Sequence, residues 1–208
     1  MQTKWDGAPS VVCGTDPLNG MFFVGTKSVF AKNSKACYDD VDVDLYYEGD
    51  LAEKLKYSLK YFSTLGIQGI VQGDLLFTTD VKRETVNGEK LYTFTPNTIT
   101  YAIPVDHPIG VATGKAKIGV VFHTHYRGTD FQTMQAVAGA KVKGSIEVLS
   151  VDNDTPMDRV GLNHSEEVLF DKYVANIEKM CAASGDFLDE LTTLSGTAGD
   201  AKWHVSSY

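Results

Sequence analysis

Residues 67–78, IQGIVQGDLLFT, make one strongly apolar run interrupted by Gly69 and Gly73. The run reads as a β-strand, and a strand that apolar has to be packed inside a sheet. Glycine within a strand marks a close approach of backbone or ligand. Other runs join it. PSVVCG and MFFVGT flank the turn chemistry of DPLNG (16–20), which predicts a hairpin. VNGE (86–89) predicts a second hairpin before KLYTF. TITYAI (98–103), KIGVVFHTHY (117–126) and SIEVLSV (145–151) are further strands.

Helical spacing is clearest in residues 48–66, where Leu51, Leu55, Leu59 and Phe62 form a core-facing stripe and Gly66 supplies the stop. Asp50 with Glu53 three residues later matches a capping box. A second helix is expected over 163–184, capped by Asn163 or Ser165, with a shorter one over DFLDELTTL. DDVDVD (39–44) alternates acids with valines but lacks the glycine and terminal glutamate of a calcium loop, so an exposed edge strand is expected. The elements add up to an α+β chain of mostly antiparallel sheets with flanking helices.

Charge narrows the function classes. The 208-residue chain has a net charge of −8, which argues against a protein that coats nucleic acid with a basic surface. Residues 1–36 nevertheless carry four lysines against two aspartates, whereas residues 150–208 carry four bases against eleven acids. The acidic end predicts a helical appendage or insertion over 151–208 beside a main domain over 1–150. Three widely spaced cysteines, Cys13, Cys37 and Cys181, make neither a disulfide framework nor a zinc site. No run is long enough to span a bilayer, and no basic segment precedes an apolar one at the N-terminus. The expectation is a cytoplasmic protein without a membrane partner, in the host cytoplasm if the source is viral.

The chemistry concentrates at TKWDGAPSVV (3–12). By itself, Lys-x-Asp-Gly also fits an exposed terminal lysine followed by a turn. As chemistry, Lys4 is a nucleophile that, once deprotonated, attacks the α-phosphorus of ATP and holds the nucleotide as a phosphoramidate. Such a site needs a carboxylate-held metal, further cations on the phosphates and an aromatic face for the base. Asp74, Lys27, Phe122 and Tyr126 are residues of the required kinds.

In their order along the chain, these segments resemble the covalent nucleotidyltransferase superfamily of RNA ligases, ATP-dependent DNA ligases and capping enzymes. Lys4-Trp5-Asp6-Gly7 resembles motif I, FFVGTKSVF (22–30) a strand with a basic contact, IVQGDLLF (70–77) motif III, and IGVVFHTHYRGTDF (118–131) motif IIIa. The order K-W-D-G-A-P, V-G-T-K-S, Q-G-D and F-H-T is also similar to a group of uncharacterised bacteriophage proteins. The resemblance spans about residues 3–131. It implies an ATP-grasp-like adenylation domain, incomplete here, that carries motifs I to IIIa within residues 1–150.

Its implied roles are these. Lys4 carries AMP, Asp6 positions the lysine and sugar, and Gly7 and Lys27 meet the nucleotide or phosphate. Asp74 holds Mg2+, and Phe122 and His123 line the nucleotide pocket. The acceptor is a 5′-phosphorylated nucleic acid end, either RNA or DNA. Strict alternation sends Phe122 and His123 to opposite faces unless a bulge intervenes, and Phe122 shares parity with Ile118 and Val120. His123 is therefore the one expected in the pocket. His123 and His125, spaced i, i+2, should share a face, with His125 satisfied by hydrogen bonds.

The departures are specific. Motif III has Asp74 where glutamate is usual, and Phe122-His123 replaces Phe-Asp. No Glu-Gly-Val-Val is present. Two registers compete: 118–123 as motif IIIa with later motifs outside the 208 residues, or 118–121 as a degenerate motif IV with Lys141 and Lys143 as motif V. The first is preferred because Ile118 cannot hold a metal, and it predicts a fragment of a longer protein that self-adenylates poorly. The rival from another class is a non-catalytic phage protein that keeps the fold as a binding or assembly module.

Overall fold

The computed structural model describes residues 5–152 and 164–195. The chain forms two compact units, Met1–Thr155 and Pro156–Tyr208. The first is α+β, built on two mostly antiparallel sheets.

Strands β1 (Ser10–Thr15) and β2 (Phe22–Gly25) pair as the expected hairpin. Their turn is held by side chains: Asp16 Oδ1 accepts from Leu18 N–H and Asn19 Oδ1 from Met21 N–H, both at 2.8 Å. Strand β3 (Ile70–Phe77) lies between β1 and β7 (Ile118–Arg127), antiparallel to both. The far edge of β7 is shared end to end. β8 (Gln135–Ala138) pairs residues 124–127, and β9 (Val148–Ser150) runs parallel to 118–120. The second sheet has the order β4 (Lys82–Val86), β5 (Glu89–Phe94), β6 (Tyr101–Pro104). Asn87 and Gly88, at φ 53° and 84°, make its tight turn.

Helix α2 (Gly49–Phe62) covers one face of the large sheet. Leu55 and Phe62 are fully buried there among Val11, Cys13, Val71 and Leu75, and Phe62 meets the Phe122 ring edge-on at 5.5 Å. Each such side chain contributes about 1.5–3 kcal/mol through burial. Gly66 ends the segment at φ 63°, as the stop signal predicts. The cap differs from expectation. Glu48 precedes the helix without a side-chain cap bond, and Asp50 sits in the first turn, paired with Lys54 at 2.9 Å.

Residues 39–44 overturn the edge-strand expectation. They belong to helix α1 (Asp40–Tyr46), where Asp39 accepts from Asp42 N–H at 2.9 Å as N-cap. Val43 is buried while Val41 and Leu45 point to solvent. The cap and the single inward valine outweigh an alternation that no neighbouring strand exploits. A short helix α3 (Pro108–Thr113) precedes β7, with Pro108 in its first turn.

In the second unit, helix α4 (His164–Ser195) is continuous where two helices were expected. It runs through Gly185, whose cost of about 1 kcal/mol relative to alanine is small for so long a helix. Asn163, one of the two expected caps, lies outside the described residues, and Ser165 is inside the helix. Among the described residues, no helix is long and apolar enough to cross a membrane.

Candidate functional site

The site is built on β3. Gly73 is paired with Phe122, and a Cβ there would lie 2.8 Å from the Val121 carbonyl and 2.9 Å from the Phe122 ring. The bare glycine thus seats Phe122 in the α2-side core, where it is 2 % exposed. The next residue, Asp74, faces the other way, opposite Ser10 on β1 and Val121 on β7.

Between these pairs, β7 carries one residue too many. Gly73 pairs with Phe122 and Gln72 with Thr124, so His123 is the extra residue of a β-bulge. His123 keeps to the Asp74 side, as alternation from Phe122 expects, and its Nε2 lies 3.5 Å from Asp74 Oδ1. Its Nδ1 shares a hydrogen bond of 2.8 Å with Thr124 Oγ1. Both members of the Asp74–His123 pair are about one-quarter exposed, at 27 % each. The same bulge separates the two histidines that period-two spacing would align. His125 pairs with Val71, a residue of the α2-side core, and its Nε2 is buried without a hydrogen-bond partner. The expectations that His125 shares the His123 face and is hydrogen-bonded are both corrected.

The segment 5–9 lies against this strand. Ala8 N–H donates to the Leu75 carbonyl at 2.9 Å, and Leu75 N–H to the Pro9 carbonyl at 3.0 Å. A Cβ on Gly7 would stand 2.6 Å from Asp74 Cβ. Only glycine lets the backbone approach so closely. Lys4 itself lies outside the described residues.

Asp6 is held by a loop more than 90 residues away. Its carboxylate accepts from Asn97 Nδ2 (2.9 Å), Thr98 N–H (2.7 Å), Thr98 Oγ1 (2.8 Å) and Ile99 N–H (2.8 Å). Its own N–H donates to Tyr101 Oη. The Asn97 side chain first, then the Thr98 and Ile99 donors, hold the carboxyl well below the usual carboxylate range. Asp6 is therefore a tether that fixes the N-terminal segment to the second sheet.

Trp5 completes the tether. Its ring lies 5.2 Å from Tyr101, which stacks on Phe94 at 5.5 Å, while Phe94 meets Phe77 at 5.0 Å. The Trp5, Tyr101 and Phe94 rings wall an apolar cavity of about 310 Å³ with Leu76 and Ile103. Leu76 is two residues past Asp74 on the same strand.

A hydrogen-bonded row that sequence reasoning missed runs beside Asp74. Tyr126 Oη donates to Gln72 Oε1 at 2.5 Å, and Gln72 Nε2 donates to Ser10 Oγ at 2.8 Å. Burial pushes the Tyr126 phenol upward. The i, i+2 spacing of Gln72 and Asp74 was the available signal.

Other expected residues stand apart. Lys27 is exposed at the start of a 3-10 turn, Lys27–Phe30, and no described contact joins it to Asp74. Phe122 is in the core rather than beside Asp74. Lys141 and Lys143 flank Val142, which packs against the α2-side core, so neither reaches the Asp74 face through that segment. Among the described residues, no three histidine, cysteine or acidic side chains gather as a metal site. A lone carboxylate still suits Mg2+, which binds through one or two carboxylates and completes its shell with water and substrate phosphates.

Fold and site together define an α+β protein in which an N-terminal segment is clamped across a carboxylate–imidazole pair. The chain belongs to DUF6267, a family of unknown function, whose model matches residues 1–208. No curated protein and no solved structure matches it.

Proposed function

We propose that the chain is a ligase-like covalent nucleotidyltransferase with an ATP-grasp-like adenylation fold. One observation carries the reading: the Trp5-Asp6-Gly7 segment is packed on the QGD strand, with Gly7 against Asp74. Two motifs some 70 residues apart thereby face one space, as a single metal–triphosphate site requires.

In this reading the deprotonated Lys4 amine attacks the α-phosphorus of ATP. A P–N bond forms, the bond to the β-phosphate oxygen breaks, and pyrophosphate leaves. The 5′-phosphate of a nucleic acid end then takes AMP from the lysine. Asp74 holds Mg2+, which would neutralise the triphosphate. His123 orients the Asp74 carboxylate. Asp6 and Trp5 fix the segment that follows Lys4 in sequence, and the apolar cavity beside Tyr101 takes the base. Lys27 provides a phosphate contact.

The test is labelling with α-³²P-ATP followed by denaturing electrophoresis. An acid-labile label that is lost in Lys4→Ala and kept in Lys32→Ala supports the reading. A label that survives Lys4→Ala overturns it.

A second reading, a non-catalytic binding or assembly module, is favoured by one observation. The Asp6 carboxylate is already engaged by four donors and is not free to meet a sugar. In that case the wild-type chain takes no label at any ATP or Mg2+ concentration.

A further inference from the structure

We infer that the chain has a second site, separate from the Asp74 pair, that binds a phosphate-bearing ligand of nucleotide size. It is a cleft of about 450 Å³ at the Ile70 end of β3 and β7. Its basic lining is Arg127, Lys141, Lys143 and His125, and no acidic side chain lines it. In a chain with a net charge of −8, a concave surface lined by bases alone is an exception that selects anions.

The surroundings sharpen the chemistry. Lys141 pairs with Asp152 at 3.7 Å, and Asp152 is not among the residues that line the cleft. Among the described residues, Arg127 and Lys143 form no ion pair. A guanidinium offers parallel N–H donors that match two phosphate oxygens, and an ammonium adds a point charge. The His125 imidazole stands at the wall with a buried Nε2 that has no partner. An uncompensated ring nitrogen is a cost that a ligand oxygen or water reached by a small ring rotation would remove. Gln68 supplies a neutral amide, and Gly66 leaves the rim bare of side chain. The volume exceeds what one inorganic phosphate needs and lies in the range of small-ligand sites.

The cleft is distinct from the Asp74 site. Val71 and His125 are cross-strand partners on the α2 side of the sheet and Ile70 and Tyr126 line the cleft at the strand ends, whereas Asp74 and His123, on the face opposite Val71, are not among its lining residues. The inference therefore does not depend on nucleotidyl transfer. The phosphate could belong to a nucleotide unit within a strand or to a free nucleotide.

The experiment uses the full chain and a fluorescein-labelled 12-nucleotide thymidine oligomer, read by anisotropy, with AMP and inorganic phosphate as competitors. Binding should weaken at least tenfold in the Arg127→Ala/Lys143→Ala double variant and stay within twofold in Lys90→Ala, which removes an exposed base from the second sheet. Circular dichroism confirms that both variants are folded. Competition by AMP at micromolar concentration assigns the site to free nucleotides, and its failure assigns it to a strand. The inference is overturned if the double variant binds like the wild type, or if neither oligomer nor AMP binds below millimolar concentration. Loss of binding in the double variant with unaltered Lys4 labelling, or the converse, tells this inference apart from the proposed function.

Discussion

Asp74 and His123 meet at 3.5 Å on one face of the large sheet, whereas His125, two residues on, lies on the other because β7 holds one residue more than β3 can pair. Without that bulge, alternation would return His125 to the face that Asp74 and His123 share. Alternation also divides two adjacent residues of β7, Phe122 packing under α2 and His123 beside a carboxylate.

That division predicts unequal substitutions. Phe122→Ala should destabilise the fold by about 3–5 kcal/mol, as expected for an aromatic removed from a closed core. His123→Ala, at a position about one-quarter exposed, should cost less than about 1 kcal/mol and, if the chain is the proposed nucleotidyltransferase, weaken ATP binding. Urea unfolding and isothermal titration of each variant check the pair. Equal effects on both readouts would contradict the assignment of the two residues to opposite faces.

The Asp6 tether predicts a pH dependence with a definite sign. Its folded carboxyl is depressed, so the stability it contributes is fully present above the ordinary aspartate value of about 3.9 and is lost as pH falls below it. The stability difference between wild type and Asp6→Ala should thus be constant from pH 5 to 7 and shrink toward pH 3. Hydrogen exchange should also quicken at the Thr98 and Ile99 amides in the variant, because both donate to the carboxylate.

Gly7→Ala should separate the N-terminal segment from β3. The new Cβ would meet Asp74 Cβ at 2.6 Å and the Leu75 carbonyl at 2.9 Å, and backbone cannot yield as a flexible side chain does. A loss of about 1–3 kcal/mol is expected. If Asp74 and the lysine act together, labelling should fall more than tenfold even where the chain remains folded. Thermal unfolding and α-³²P-ATP labelling of the same preparation separate the two effects.

The thiols should divide one against two. Cys13 and Cys37 are buried, and burial pushes both thiols upward, Cys37 to about 12. Cys181 is exposed on α4. Mass spectrometry after brief maleimide treatment at pH 7 should find one adduct on the native chain, at Cys181, and three after denaturation in urea. Rapid modification of Cys13 in the native chain would contradict the packing of β1.

Much of the fold was legible locally. The Asp16–Gly20 turn, the Asn87-Gly88 turn, the Leu55/Phe62 stripe and the Gly66 stop each express a preference carried by a few neighbouring residues. Period and turn chemistry suffice for these because their partners lie within a few positions. The alternation in 39–44 shows where that reasoning ends. Acids and valines can alternate in a helix when an aspartate caps it and only one valine faces inward.

Sequence by itself determined that β3 is an apolar strand with Gly73 and Asp74 at its centre, and that a Lys-x-Asp-Gly precedes β1. Tertiary structure decided what these residues meet. Asp6 finds its donors at 97–99, Gly7 finds Asp74, and His125 is turned to the α2 side by a bulge visible only once β7 is aligned with β3. Pairing register is set by burial across the whole sheet, so a one-residue insertion changes which face a side chain takes without leaving any local mark.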